Sequence, residues 1–312
     1  MSDEYTYVRV SDEHRKSLQY ISHCAFKIPV KENYFLKKWN TDFTGHKNIG
    51  FIAFTKSGEP IAYYGVFPCF VEYNGEKFLA SQSGDTMTHP DHAGKGLFTT
   101  LAKMTYQLAQ EEGIEFVVGF PNDNSYPVLV KKLNFTHREN LKTYKVNVKT
   151  LPVAAFFKKF IRCFPIYKFY LDIIFSFIKS DKPFLESSLV EKNVVCILHD
   201  KAFFDYKSFQ NNFLVKVGGI NVWLKSDGWL LIGDIEKNES IDFKKFLSGL
   251  KKLAFITGHT KIVFSASENT FIDNLLKQNT IFEKGGYFCY LNLISKIPVE
   301  NMKFTTADLD TF

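Results

Sequence analysis

The sequence predicts a mixed α/β (α+β) fold: a largely antiparallel sheet flanked by helices, with a second, degenerate copy of the same arrangement behind it. Three observations predict it. Short segments of alternating or continuous apolar character are separated by segments of helical spacing. The order strand pair, helix, strand, helix, strand occurs in the first half and recurs in the second. The stretch "FSASENTFIDNLLKQNTIF" also echoes "GFPNDNSYPVLVKKLNF" at the corresponding place. The 312 residues suffice for two domains, and 45% hydrophobic residues, 16% of the chain being aromatic, exclude wholesale disorder.

Taken in order, "YTYVRV" alternates as a strand, and Ser11 N-caps a helix running to about Cys24. "ENYFLKKW" is a short helix. "IGFIAFTKSGEPIAYYGVFPCFVEYNGEKFLASQSGDTMT" reads as three antiparallel strands, turning at Lys56–Glu59 and at Asn74-Gly75, the latter a strong hairpin signal. A helix from about Gly94 to Glu112 follows and is closed by Gly113. "IEFVVGF" is a buried strand, "NSYPVLVKKL" a short helix and "TYKVNV" a strand. In the second half "INVWLKSDGWLLIGDIE" is a hairpin and "IDFKKFLSGLKKLAFITG" a helix ending at Gly258. "TKIVFSAS", "ENTFIDNLLKQ" and "YFCYLNLI" supply strand, helix and strand.

The expected division is a first domain at 1–150, a helical amphipathic segment at 151–183 and the degenerate copy at 184–312. Residues 151–182 are rich in Phe and Ile but are interrupted by Lys158, Lys159, Arg162, Lys168 and Lys179, so no uncharged run approaches a membrane span. Two readings stand for them: a linker packing on both domains, or a basic amphipathic surface making peripheral contact with a membrane or a lipid-linked substrate. The net charge of +6 suits an anionic ligand or a membrane surface and does not imply nucleic acid. Five scattered cysteines without a Cys-x-x-Cys arrangement read as small buried hydrophobes in a reducing compartment. "MSDEYTYVRV" is no signal peptide, and a cytoplasmic location is expected.

Chemistry concentrates in "SGDTMTHPDHAGKGLFTT". A helix start offers unpaired N–H groups and partial positive charge, and glycines let an anion come close to them. Gly94 and Gly96 supply the approach, Lys95 a cation, and Thr99 and Thr100 hydroxyls; a pyrophosphate is the natural guest. The third glycine of a dinucleotide fingerprint is missing, and so is the Gly-Lys-Ser/Thr of a P-loop. His89 and His92 form a His-x-x-His pair, but Pro90 lies between them and no third ligand follows, so no metal is expected.

Together these residues resemble the acyl-CoA-binding core of the GNAT superfamily of N-acetyltransferases. Pro90, Gly94, Gly96 and Leu97 fall on its loop pattern, Asn122 and Asn124 stand in the loop after the following strand, and Leu133-Asn134-Phe135 closes the corner. The match covers about residues 5–148. Three positions depart from it: Ala93 where Arg or Gln is usual, Phe98 where a small residue is expected, and Val130 in place of a tyrosine that often protonates the leaving thiolate.

The resemblance implies acyl transfer from acetyl-CoA, or another acyl-CoA as co-substrate, to an amine. Its diphosphate would meet His92, Ala93, Gly94, Lys95, Gly96, Leu97, Phe98 and Thr99, and its pantetheine arm would run beside Thr86, Met87 and Thr88. Asn122 and Asn124 complete the cofactor set. Asp85, five residues before Pro90, is the base or substrate anchor, with a proton affinity expected to be raised by desolvation. Tyr126, one turn before Val130, substitutes as the acid. Two-copy GNAT proteins of the enhanced-intracellular-survival type resemble this layout, and by that analogy the terminal carboxylate of Phe312 is a second candidate base. The acceptor is a small-molecule or sugar amine, met by a groove with aromatics such as Tyr63, Tyr64 and Phe67. Two alternatives remain: a Fem-like aminoacyl transferase, against which "HAGKGLF" argues, and a non-catalytic acyl-CoA sensor.

Overall fold

The computed structural model describes residues 4–27, 32–278 and 280–312. In the first half the strands form as β1 (Tyr5–Arg9), β2 (Ile49–Thr55), β3 (Pro60–Tyr73) and β4 (Glu76–Thr88), each antiparallel to its predecessor. Between β1 and β2 lie α1 (Arg15–Phe26) and α2 (Glu32–Lys38). Then come α3 (Leu97–Glu111), β5 (Phe116–Gly119), α4 (Tyr126–Lys132) and β6 (Thr136–Asn147), with β5 parallel to β4.

The period of two along β3 sorts its side chains between two cores. Ala62, Tyr64 and Val66 face α3, which buries Leu97, Leu101, Thr105 and Ala109 at every fourth position. Tyr63 and Phe67 face the other way, with Leu18, Ile21, Phe35 and Trp39 of the α1–α2 side. Tyr63, Tyr64 and Phe67 are therefore core residues, 3%, 0% and 6% exposed, and do not line an open groove as the sequence suggested. Apolar burial on both faces of a central strand outweighs the polar tips of two tyrosines.

The second half contains α5 (Val153–Lys159), α6 (Phe164–Ser176), β7 (Val195–Ile197), α7 (Lys201–Lys207), β8 (Asn212–Val217) and β9 (Ile220–Asp227). It continues with β10 (Trp229–Ile235), α8 (Phe243–Ile256), β11 (Lys261–Ala266), α9 (Phe271–Lys277) and β12 (Phe282–Asn292). Strands β8, β9 and β10 are antiparallel neighbours and β11 is parallel to β10. With α8 between β10 and β11, this repeats the order and sense of β2–β3–β4–α3–β5.

The chain divides into Met1–Glu139 with Tyr287–Glu300, and Asn140–Gly286 with Asn301–Phe312. Breaks expected at 150 and 183 are not where it divides. Residues 151–183 belong to the second unit, where α5 and α6 bury Ala154, Tyr167, Leu171 and Phe175 in its core. The repeat makes β6 the natural last strand of the first copy and β12 that of the second, and each crosses over. The end of β12, Cys289–Asn292, pairs antiparallel with β5 in the first unit. In the second unit residues 142–147 of β6 pair antiparallel with β11.

Candidate active site

Strands β4 and β5 are hydrogen-bonded neighbours only from Ser81, Gln82 and Ser83 to Val117, Val118 and Gly119. The Tyr64 hydroxyl fixes the apex, 2.8 Å from Ser83 Oγ and 2.5 Å from the Tyr106 hydroxyl. Beyond Ser83 no residue of β4 is in register with β5, and a wedge opens between the two carboxy-terminal ends. On its other side β4 bulges: Met87 opposes Tyr63 and Gly84 opposes Gly65, leaving Asp85 and Thr86 together opposite Tyr64. Asp85 takes the left-handed conformation, φ +52°, a strain of roughly 1–3 kcal/mol that the surroundings must hold.

What holds it is Lys38, at the end of α2. Its ammonium lies 2.7 Å from Asp85 Oδ1, with a side chain 1% exposed against 19% for Asp85. The rings of Tyr34 and Phe67 stand 5.6 and 5.0 Å from the same nitrogen. Burial, and then the Asp85 charge, push the Tyr63 hydroxyl well above its ordinary range, so it stays protonated. The sequence leads one to expect desolvation at Asp85, and the structure sets an ammonium beside it as well. Lys38 was hidden in "FLKKW" because a lysine pair closing a short helix reads as a solvated face.

After β4 a 3-10 turn, Pro90–His92, leads into Ala93, Gly94, Lys95 and Gly96. The amides of His92 and Ala93 are already bonded, to the carbonyls of His89 and Pro90, so neither contributes an N–H to an anion. Gly94 and Gly96 have φ of +77° and +79°, and Gly96 is the N-cap of the 15-residue α3. The amides that open the helix, from Gly96 to Thr99, are thus the available donors. The Leu97 side chain is buried and Phe98 packs edge-on against Tyr64 at 5.2 Å, so these two offer backbone only. Lys95 lies 3.6 Å from Glu4, and His92 Nδ1 is 3.2 Å from the Tyr5 hydroxyl. Gly96→Val should weaken coenzyme A binding at least tenfold by calorimetry, because a β-branched residue is strained at positive φ and stands in the approach path; unchanged affinity would remove the diphosphate from this turn.

The parallel pairing brings the loop after β5 to the same end of the sheet as Asp85. Asn122 Oδ1 accepts from the amides of Asn124 and Ser125, both 3.0 Å, shaping the turn into α4. Asn122 and Asn124 are exposed. Tyr126 opens α4, stacked on Tyr287 at 4.1 Å and edge-on to His137 at 5.5 Å. Thr86 and Thr88 are partly exposed on the open length of β4, whereas the Met87 side chain is buried. No group of three or more His, Cys, Asp or Glu side chains among the described residues could hold a metal ion.

A family model described as an acetyltransferase (GNAT) domain matches residues 7–137. Residues 7–137 thus carry a GNAT-type acetyltransferase domain. No curated protein sequence matches it. Among solved structures, a GCN5-related N-acetyltransferase from Kribbella flavida superposes with a TM-score of 0.59 at 10% identity, covering 93% of this chain and 71% of that one. A probable N-acyltransferase from Enterococcus faecalis gives 0.60 at 13% identity, covering 92% and 72%. N-myristoyltransferase from Saccharomyces cerevisiae, solved with myristoyl-CoA, gives 0.52 at 9% identity, covering 93% and 82%. At such identities the likeness is one of fold.

The GNAT wedge has a counterpart in the second unit, and there it is filled. β10 also bulges, at Gly233 between Ile232 and Asp234, and its pairing with β11 ends at Ile232. Phe312 covers Gly233 so closely that a Cβ there would lie 2.3 Å from the ring, and it meets Trp223 edge-on at 5.4 Å. Phe312 is 1% exposed. The terminal residue expected to supply a base is thus a core plug of the second unit, for which a large ring fitting over a glycine is sufficient reason.

Around it, His199 sits between two buried carboxylates, 2.7 Å from Asp308 and 3.5 Å from Asp234. Burial opposes a charge on His199, yet Asp308 and Asp234 raise it above its ordinary 6.5. A histidine raised on folding stabilises below its unfolded value and loses that contribution as pH climbs through the folded one. His259, pushed down to about 4 by burial, acts with the opposite sign but only below 6.5. The melting temperature should therefore fall as pH rises above 6.5, and His199→Gln should flatten that limb; an unchanged slope in the variant would exclude His199 as its origin.

Proposed function

We propose that this GNAT protein is an acyl-CoA-dependent N-acyltransferase acting on the primary amine of a small molecule or amino sugar, in the cytoplasm. The observation that carries the reading is the bulge at Asp85 where β4 leaves β5, directly before a helix start opened by two left-handed glycines. The CoA diphosphate meets the amides from Gly96 to Thr99, displacing Glu4 from Lys95. The pantetheine arm pairs with the open edge of β4 at Thr86–Thr88, and a backbone N–H there polarises the thioester carbonyl.

Asp85 accepts a proton from the incoming ammonium, and Lys38 keeps the carboxylate ionised to do so. The amine lone pair then attacks the carbonyl carbon, the C–S bond breaks, and Tyr126 supplies a proton to the departing thiolate; the second proton shed by the nitrogen restores the Tyr126 hydroxyl, and Asp85 releases its own to solvent. Products are an amide and free CoA. The test is thiol release from acetyl-CoA and longer acyl-CoA thioesters across a panel of amines. Amine-dependent release with a matching amide by mass spectrometry supports the reading; CoA binding without release for any amine favours a sensor and overturns it.

A further inference from the structure

The second unit carries a face that the acyl-transfer reading does not use. Helix α6 has two apolar sides. Tyr167, Leu171 and Phe175 turn into the core, whereas Ile166, Phe169, Tyr170, Ile173 and Phe177 stand outward, 39–81% exposed. Their spacing places these five on one stripe about 100° wide. A helix at the surface of a globular protein needs only one such stripe, and a second one calls for something to cover it.

Neighbouring elements widen the patch. The rings of Phe156 and Phe160, at the end of α5, lie 4.6 Å apart, and both are about half exposed. The Tyr170 hydroxyl donates to the Ile256 carbonyl at 2.8 Å, and the Thr150 hydroxyl to that of Phe255 at 3.2 Å. The exposed side chains of Phe255 and Ile256, closing α8, therefore adjoin α6.

The surround is basic. Residues 149–180 hold Lys149, Lys158, Lys159, Arg162, Lys168 and Lys179 against one acid, Asp172. Lys168 pairs with Asp172 and Lys158 with Asp227. Beside Phe255 and Ile256 opens a cleft of about 480 Å³ that is also lined by Lys149, Lys251 and Lys252. These three lysines form no ion pair among the described residues.

We infer that this face docks the protein on an anionic lipid bilayer, the α6 stripe entering the headgroup boundary and the lysine cleft taking a lipid phosphate. Apolar side chains ringed by lysine match such a surface twice, by burial and by charge. A second copy is the poorer occupant, because a two-fold pairing would set lysine rim against lysine rim. No helix among the described residues is long and apolar enough to cross a membrane, so the contact lies in the interfacial plane.

The test is cosedimentation of the 312-residue chain with vesicles of phosphatidylcholine alone and with about 30% phosphatidylglycerol added, which gives the surface a negative potential. Binding should be at least tenfold stronger to the anionic vesicles and should weaken with salt. Phe169→Glu/Phe177→Glu should abolish it with circular dichroism and coenzyme A affinity unchanged, and Lys251→Glu/Lys252→Glu should erase the preference for charge. Absent binding to both vesicles, or binding indifferent to the phenylalanine pair, overturns the inference. A dimer in solution that the phenylalanine pair dissolves, without vesicle binding, makes the face a self-interface and overturns it equally. None of these readouts depends on acyl transfer.

Discussion

Asp85→Asn is expected to lower kcat by roughly 10²- to 10⁴-fold, the range for losing a general base, with acetyl-CoA affinity nearly intact. Asparagine tolerates the left-handed backbone that Asp85 adopts, so the bulge should survive. The partner group is the complication. Lys38 is almost fully buried, and stranding its ammonium costs about 3–5 kcal/mol when a buried pair is broken from one side. Melting and coenzyme A calorimetry on the variant separate a lost base from a lost fold. A fall under threefold would leave Asp85 as scaffold.

A second variant supplies a signature that damage to folding does not. Lys38→Met removes the cation that favours the Asp85 carboxylate, so the acid should hold its proton to higher pH. The acidic limb of kcat/KM should accordingly move up, with the plateau recovered on the alkaline side. An unmoved limb would mean that another group titrates.

The second large effect is on stability. Phe312→Ala should cost about 3–5 kcal/mol, the usual penalty for emptying a buried phenylalanine site. The plug over Gly233 leaves little freedom for the surroundings to collapse, because its neighbour Trp223 is itself fully buried. Turnover per folded molecule should be unchanged, since the ring belongs to the second unit. Turnover lost on deleting residue 312 but kept in Phe312→Ala, with both variants folded, would instead restore the terminal carboxylate as a base.

Much of the fold was legible because period and punctuation agree. Asn74-Gly75 turns the β3–β4 hairpin with both residues at positive φ, and Gly113 and Gly258 end α3 and α8 in the same conformation. The opening of α3, with glycines at 94 and 96, was legible for the same local reason. Asp85 could be located but not its environment, because Lys38 arrives from 47 residues away and no short-range pattern couples the two. Tyr63, Tyr64 and Phe67 were misjudged because composition cannot say which face of a strand is covered. The tail was misjudged too: "FTTADLDTF" is polar and terminal, yet Asp308 is spent on His199 and Phe312 on Gly233.

The crossing of β6 and β12 has a consequence for how the polypeptide is made. The strand that completes the sheet beside β5 is encoded some 150 residues after Glu139, so a ribosome working at about 5–20 residues per second withholds it for roughly 8–30 s. During that interval the nascent first half presents an unpaired edge at β5. Its closure must await synthesis of β12, which makes the two halves a single folding transaction, not two in succession. Severing the gene near codon 150 would then yield fragments that regain order only when recombined.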